Sequence, residues 1–273
     1  MNKKLYIFGI EITDISREEL INTVINMAKS CKNRRIFYVN VHALNIAYRC
    51  PRFRSLLSSA DLVFNDGYGV NVASALIGKR LDNRNTPPDW IDELAKIAIS
   101  NGVAFFFLGD EDFVVSKAKH IMAERHPNLR IVGIHHGFFT KNGVENNVIV
   151  SKINATSPHI LFVGMGMPTQ EFWIDDNIDS LNVNVYLSVG ALFRWYSGIE
   201  ERAPKWITDH GFEWLARLAS HPVKHFKRYV IGNAIFFIRF VKTALLKHEL
   251  PSTCNKPILP YCSNKCEFFK VKN

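Results

Sequence analysis

The stretch Ala60–Val70, ADLVFNDGYGV, sets an acid where α/β proteins often do chemistry. Leu62–Phe64 read as the end of a buried strand, and the chain then turns through Asn65, Asp66 and Gly67. A residue at the carboxyl end of a strand in an open α/β sheet faces the crevice in which such folds bind ligands. Asp66 is therefore either a turn residue bonded to its own backbone or a working acid or base. A second group of candidates follows strands that end in glycine: Leu108-Gly109-Asp110, Val163-Gly164-Met165-Gly166-Met167-Pro168 and Val189-Gly190-Ala191. Glycine at a strand-to-helix junction lets backbone amides approach a phosphate, and the helix start behind it adds partial positive charge. Three such junctions point to a diphosphate cradle with Gly109, Gly164, Gly166 and Gly190 in its floor, although each alone is also an ordinary βα turn. Next to them, PTQEFW (Pro168–Trp173) sets Gln170 and Glu171 in a first helical turn, within reach of a sugar or base, with helix capping as the other role.

Other chemistries lack their residues. Gly164-Met165-Gly166-Met167-Pro168-Thr169 misses the third glycine of the dinucleotide fingerprint and comes late in the chain. Neither a Walker pattern nor G-x-S-x-G occurs. His135 and His136 are expected on opposite faces of a strand, so they do not share a metal. Cys254, Cys262 and Cys266 with His248 match no usual zinc spacing. We expect no metal site and no cofactor.

The elements that would position these residues alternate. Strands are expected at Leu5–Ile10, Ile36–Val39, Leu62–Phe64, Val103–Leu108, Ile131–Ile134, Ile160–Val163 and Val185–Val189. Helical patterns lie between them at Ser16–Lys29, Asp89–Ser100, Asp112–His126 and Thr169–Leu181. That order predicts an α/β fold, a mostly parallel sheet with helices on both faces. After about Arg202 only helices are expected, Trp206–Ala219 and Val223–Leu246, separated near Pro222. The chain thus divides into a catalytic domain over 1–200, a basic helical appendage over 201–250 and a loosely ordered tail over 251–273.

With 273 residues, 47% of them hydrophobic and 22% charged, the chain has the composition of a soluble globular enzyme. A net charge of +9 calls for an anionic partner. The five cysteines are odd in number and scattered, and the apolar run after Met1 is too short for a signal peptide, so a cytoplasmic location is expected. Between Arg217 and His248 lie Arg217, Lys224, Lys227, Arg228, Arg239, Lys242 and Lys247 and no acid. Val230–Leu246 is apolar but interrupted by Asn233, Arg239 and Lys242, so it is expected to lie on a membrane and not to cross it. On a regular helix Lys224, Arg228, Arg239 and Lys242 form one basic stripe, which suits an anionic surface or, alternatively, a solvated face. The phenylalanine-rich apolar run argues against nucleic acid as the partner.

Together NVHALN (Asn40–Asn45), ADLVFNDGYGV, FFLGDED (Phe106–Asp112), GMGMPTQEFW (Gly164–Trp173) and VGALFRWYSGIEERAPKW with GFEWLARLASHPVKHFKRY resemble the WecG/TagA/CpsF glycosyltransferases. These are N-acetylmannosaminyltransferase-like enzymes of glycosyltransferase family 26. The resemblance runs from about Ile7 to Tyr229. It implies a Rossmann-like (GT-E-like) fold and an inverting, metal-independent transfer of a sugar from a UDP-sugar to a polyprenyl-diphosphate-linked acceptor. Such a reaction builds cell-surface polysaccharide or teichoic acid at the inner face of the cell membrane. It implies Asp66 as general base, and Arg202, Arg217, Lys224 and Arg228 of the appendage as contacts of the diphosphate. Asn40, Asn45 and Asp89 are candidates for holding sugar hydroxyls, with turn or cap roles equally open. Two positions depart from the family pattern: Tyr38, where many members have Thr, bears on substrate positioning near Asp66, and Arg194, where many have Asp, bears on donor or acceptor choice. A homo-oligomer packed through the appendage and a non-catalytic, membrane-peripheral binding protein for nucleotide sugars or anions are the alternatives carried forward.

Overall fold

The structure, a computed structural model, describes residues 2–30, 33–245 and 250. The expected tail over 251–273, with its three cysteines, and His248 lie outside these residues, as does the side chain of Lys224.

Strands β1 (Lys3–Ile7), β2 (Ile10–Asp14), β3 (Arg34–Val39), β4 (Leu62–Asn65), β5 (Phe105–Gly109), β6 (Ile131–His135), β7 (Ile160–Gly164) and β8 (Val185–Ser188) form one sheet. Its order is β1-β2-β4-β3-β8-β7-β5-β6, and every pairing is parallel except β1 with β2. The central strands are continuous apolar runs because helices cover both of their faces. The run Leu5–Ile10, expected as one strand, is instead the tip of a hairpin. Phe8 and Gly9 take φ of 52° and 77° and form a two-residue turn, so that Ile7 pairs with Ile10. Phe8 hid the turn from a hydrophobicity reading because its ring is itself buried, 5.1 Å from that of Tyr48.

The helices are α1 (Arg17–Ala28), α2 (Val41–Arg49), α3 (Pro51–Ser58), α4 (Tyr68–Leu76), α5 (Pro87–Ser100), α6 (Asp112–Arg125), α7 (Gly143–Thr156), α8 (Thr169–Asn177) and α9 (Leu192–Tyr196). On one face of the sheet α1, α5, α6 and α9 share a core with Ile36, Phe64, Phe107 and Phe162. On the other face α2, α3, α4, α7 and α8 share one with Phe37, Val39, Leu108 and Val163. The neighbours β3 and β8 therefore feed helices on opposite faces, α2 and α9. That divergence opens a crevice beyond their carboxyl ends, where ligands bind in folds of this kind.

Four helices follow: α10 (Lys205–Asp209), α11 (Glu213–Ser220), α12 (Pro222–Phe226) and α13 (Gly232–Leu245). The single helix expected over Trp206–Ala219 is broken at Gly211, whose φ of 81° suits glycine and whose bare Cα leaves room for the Tyr68 ring, only 2.3 Å from where a Cβ would stand. The helix expected over Val223–Leu246 runs from α12 to α13 through a π turn at Lys227–Ile231. Phe236 and Phe240 of α13 are buried in the α2 face of the core. Among the described residues no helix is long and apolar enough to cross a membrane.

Candidate active site

Asp66 sits one residue beyond β4, its backbone N–H donating to Val39 O at 2.9 Å and so continuing the β3–β4 ladder. The turn hydrogen bond expected of an Asn-Asp-Gly sequence is made by its neighbour. Asn65 Oδ1 accepts from Gly67 N at 2.9 Å, which leaves the Asp66 carboxylate without a turn to hold. Asn40 caps α2 through Oδ1, which accepts from Ala43 N at 3.1 Å, and its amide Nδ2 reaches Asp66 Oδ2 at 3.3 Å. One side chain thus starts the helix and orients the acid. Asp66 Oδ1 is buried and accepts no hydrogen bond of good geometry, although the Thr86 hydroxyl is near enough to favour its charged form.

Burial and the charge of Glu213 push the Asp66 carboxyl up to about 7, against the opposing pull of Thr86, Arg84 and Asn40. The loop carrying Arg84 and Thr86 is held in place by acid and amide clamps. Asp14 accepts from Asp82 N at 3.0 Å and Asn83 N at 2.9 Å, and Asn85 N donates to Asn65 O at 2.8 Å. Arg84 then crosses to the appendage, donating to Thr208 O at 3.2 Å.

Asp66 faces a cavity of about 360 Å³ roofed by Gly211–Trp214 and walled by Val72, Trp195, Tyr229 and Phe237. His42 lines it too, and burial with the Arg228 charge pushes that imidazole down to about 4, so it stays neutral at physiological pH. A second cavity, of about 790 Å³, lies over Gly164, Gly166 and Gly190 and is lined by Lys141, Arg194, Arg217 and Arg228. Among the described residues only Arg217 and Arg228 line both. Arg217 stacks 4.0 Å from the Trp195 ring centroid and pairs with Glu213 at 3.1 Å. Arg228 has no carboxylate within ion-pair distance among the described residues, and its Nε is buried without a hydrogen bond. It is an uncompensated positive charge set between the two cavities.

The remaining candidates divide. Gly109, Gly164 and Gly190 end adjacent strands β5, β7 and β8 and touch: a Cβ on Gly109 would stand 2.3 Å from Gly164 O, and one on Gly164 2.9 Å from Gly190 O. Close approach of backbones requires Gly109 and Gly164, and the Tyr38 hydroxyl with a φ of 53° requires Gly190. Of the three, Gly164 and Gly190 also floor the larger cavity together with Gly166, whereas Gly109 lines neither.

Gln170 and Glu171, expected at the ligand, are fully buried and line neither cavity. Gln170 Oε1 accepts from Gly190 N at 3.1 Å, which removes that amide from the supply available to a phosphate, and Nε2 donates to Glu171 Oε1 at 2.7 Å. Burial pushes Glu171 up to about 8. Together they brace the glycine loops from below. Asn45 is also turned away, its Nδ2 donating to Gly232 O at 2.7 Å and its Oδ1 accepting from Arg239 at 2.8 Å, so that it fastens α13 to α2. Asp89 and Arg202 pair with each other at 2.6 Å, and Arg202 reaches Glu213 at 3.4 Å; they stand behind the Asp66 cavity.

Several other expectations change. The basic stripe predicted for a regular helix is broken by the π turn, which adds a residue and rotates the register. Arg228 is turned to the cavities and Arg239 to Asn45 and the Tyr48 ring, leaving Lys242 exposed. His135 and His136 do not oppose each other: β6 ends at His135, and the two rings stand 4.4 Å apart. Among the described residues no group of three or more His, Cys, Asp or Glu is placed to hold a metal. Arg194 is neutralised at the rim of the larger cavity by Asp110 at 2.9 Å and Glu111 at 2.7 Å. Tyr38 lies on β3 with its hydroxyl filling the space above Gly190, and burial raises its phenol far above the usual range.

Sequence reasoning missed His42, Arg84, Thr86, Glu213 and Lys141. Of these only Glu213, inside the E-W-x-x-R-L block, and His42, inside NVHALN, lay within a recognised motif. Lys141 sits over the Phe139 ring at 3.6 Å and donates to Gly137 O and Phe139 O, and burial pushes it down to about 8.

A crevice that holds a buried carboxylate oriented by Asn40, next to a glycine-floored cavity that shares Arg217 and Arg228 with it, is suited to group transfer. Residues 5–250 match the WecG/TagA/CpsF glycosyl transferase family, and the chain belongs to it. It is a glycosyltransferase. An N-acetylglucosaminyldiphosphoundecaprenol N-acetyl-beta-D-mannosaminyltransferase of Bacillus spizizenii is 31% identical to it over 206 residues, 76% of each chain. A protein of the same name from Staphylococcus aureus is 28% identical over 216 residues, 78% of this chain and 84% of that one.

Proposed function

We propose that this chain moves a sugar from a UDP-sugar to a hydroxyl of a polyprenyl-diphosphate-linked sugar, with inversion at the anomeric carbon and without a metal ion. The names of the relatives supply the lipid-linked acceptor class. The observation that carries the reading is that Asp66, whose Oδ1 accepts no hydrogen bond of good geometry, lines the same cavity as Arg228, which has no carboxylate within ion-pair distance among the described residues and also lines the glycine-floored cavity.

In this reading the donor diphosphate lies over Gly164, Gly166 and Gly190, with Arg217 and Arg228 beside it. The acceptor hydroxyl enters the Asp66 cavity. Its oxygen attacks the anomeric carbon from the side opposite the diphosphate, Asp66 takes the hydroxyl proton, and the bond to UDP breaks with both electrons staying on the phosphate. A base that titrates near neutrality combines an available ionised form with useful proton affinity. The arginines and loop amides stabilise the charge that grows on the leaving group. Asn40 orients the base, and Asp89, Arg202 and Glu213 hold Arg84 and Arg217 in place.

The appendage supports attachment to an anionic membrane surface from the cytoplasmic side. Val223, Phe226, Ile231 and Ile238 are exposed on it, at 95%, 52%, 44% and 57%. Apolar side chains displayed among basic ones bind a leaflet peripherally, and the same display is open to a second copy of the chain. The test is a panel of UDP-sugars offered with a polyprenyl-diphosphate-linked sugar, with and without chelator, followed by UDP release. The account expects release with one donor at an equal rate in both conditions. No release with any donor contradicts the enzyme reading and favours a binding protein.

A further inference from the structure

A polyprenyl-linked acceptor has an apolar tail as well as a sugar, and the Asp66 cavity has apolar side chains where α4 meets α13. Val72 of α4 and Phe237 of α13 face each other across it, and the two helices touch. Residues four apart on a helix share a face. On α4 the cavity-lining Tyr68 and Val72 are therefore continued outward by Leu76, which is 61% exposed. On α13 the lining residues Asn233 and Phe237 are continued by Val241, 40% exposed. An apolar stripe on α4 and the apolar pair Phe237 and Val241 on the touching α13 thus lead from the cavity, and the α4 stripe runs for about 12 Å at 1.5 Å per residue. Lys79 and Arg80, just past α4, and Lys242 on α13 stand exposed at the outer end. The other directions are unsuitable for a hydrocarbon: the roof is closed by Gly211–Trp214, and the side toward the glycine loops carries Arg217 and Arg228.

We infer that the cleft between α4 and α13 holds the part of the acceptor's polyprenyl chain nearest its diphosphate. The inference rests on the transferase reading above and adds a subsite to it. The chain leaves the cavity between Val72 and Phe237, passes Leu76 and Val241, and enters the leaflet where Lys79, Arg80 and Lys242 meet anionic headgroups.

The test compares two acceptors bearing the same diphosphate-linked sugar, one with a long polyprenyl chain and one with a short, water-soluble alkyl chain, in detergent micelles without vesicles. The wild-type protein is expected to show a lower KM for the long-chain acceptor. Leu76→Asp and Val241→Asp should each raise that KM about tenfold, the loss expected for one apolar side chain's contact, while changing kcat/KM for the short-chain acceptor less than twofold. Val148→Asp, a change at a comparably exposed apolar residue of α7 that lines neither cavity, should leave both acceptors unaffected. Equal losses from Val148→Asp and Leu76→Asp, or variants that leave the long-chain KM unchanged while the wild type transfers normally, would overturn the subsite and leave the transferase reading standing. Failure of the wild type on both acceptors with every donor would remove the transferase reading and this inference together.

Discussion

The two cavities meet at a pair of arginines yet are built in opposite ways. The larger, over Gly164, Gly166 and Gly190, is floored by strand ends pressed together and rimmed by Lys141 and Arg194. The smaller is walled by aromatic and aliphatic side chains around one unsatisfied carboxylate oxygen. A glycine floor with Arg217 and Arg228 beside it suits a diphosphate; burial of Asp66 in the other raises the proton affinity of a base. On the proposed reading the difference assigns charge stabilisation and proton removal to separate compartments, with Arg217 and Arg228 shared between them. Each compartment is accordingly open to separate disruption.

The largest effect belongs to Asp66→Asn. It should lower the rate of transfer by about 10²- to 10⁴-fold while UDP binding, read by calorimetry, stays near that of the wild type, because the base lies outside the glycine-floored basin. Weaker UDP binding in this variant would merge the two compartments. Arg228→Ala is expected to cost about 10²- to 10³-fold in rate and to weaken UDP as well, the signature of a residue serving both sides. A loss confined to one readout would assign it to one cavity. Asn40→Ala removes a cap and the partner of Asp66 Oδ2, so about tenfold in rate and about 1 kcal/mol of stability should go, with UDP affinity unchanged.

Glu171→Gln should touch neither compartment's ligand and show itself in stability. The folded-state pKa of Glu171 is raised to about 8, above the usual glutamate value. Wild-type stability is therefore lost as pH climbs from about 4.5 to 8 and stays lost above that. The glutamine variant, which needs no ionisation, should be more stable than wild type by at least about 1 kcal/mol at pH 8, with the gap closing toward pH 4.5 in denaturant titrations. A constant gap across that range would place the effect elsewhere.

Much of this was legible in the sequence because strand ends are. Runs such as Phe105–Leu108 and Ile160–Val163 end in glycine, and the rule that ligands sit beyond strand carboxyl ends picks out Asp66, Gly164, Gly166 and Gly190, which line the two cavities. What was illegible depends on direction. Gln170 and Glu171 are polar and adjacent to the loops, yet the first turn of α8 points them into the core, where each satisfies part of the other's hydrogen bonding. The extra residue in the π turn sends Arg228 inward and Arg239 onto α2, a shift that a uniform angle per residue does not contain. Asn65 and Asp66 are equally good turn formers in composition, and only the geometry assigns the turn to the first and releases the second. Arg84 and Glu213 meet at the cavity from distant parts of the chain, so no local spacing announced them.

The pH dependence of kcat/KM tests the central claim most directly. If Asp66 is the base, the wild-type profile rises from acid pH through an apparent pKa near 7, set by its burial and by Glu213, and the residual activity of Asp66→Asn lacks that rise. A wild-type profile flat between pH 5.5 and 8.5, on the order of one tenth of a log unit per pH unit or less, or a variant that retains the limb unchanged, would contradict the account.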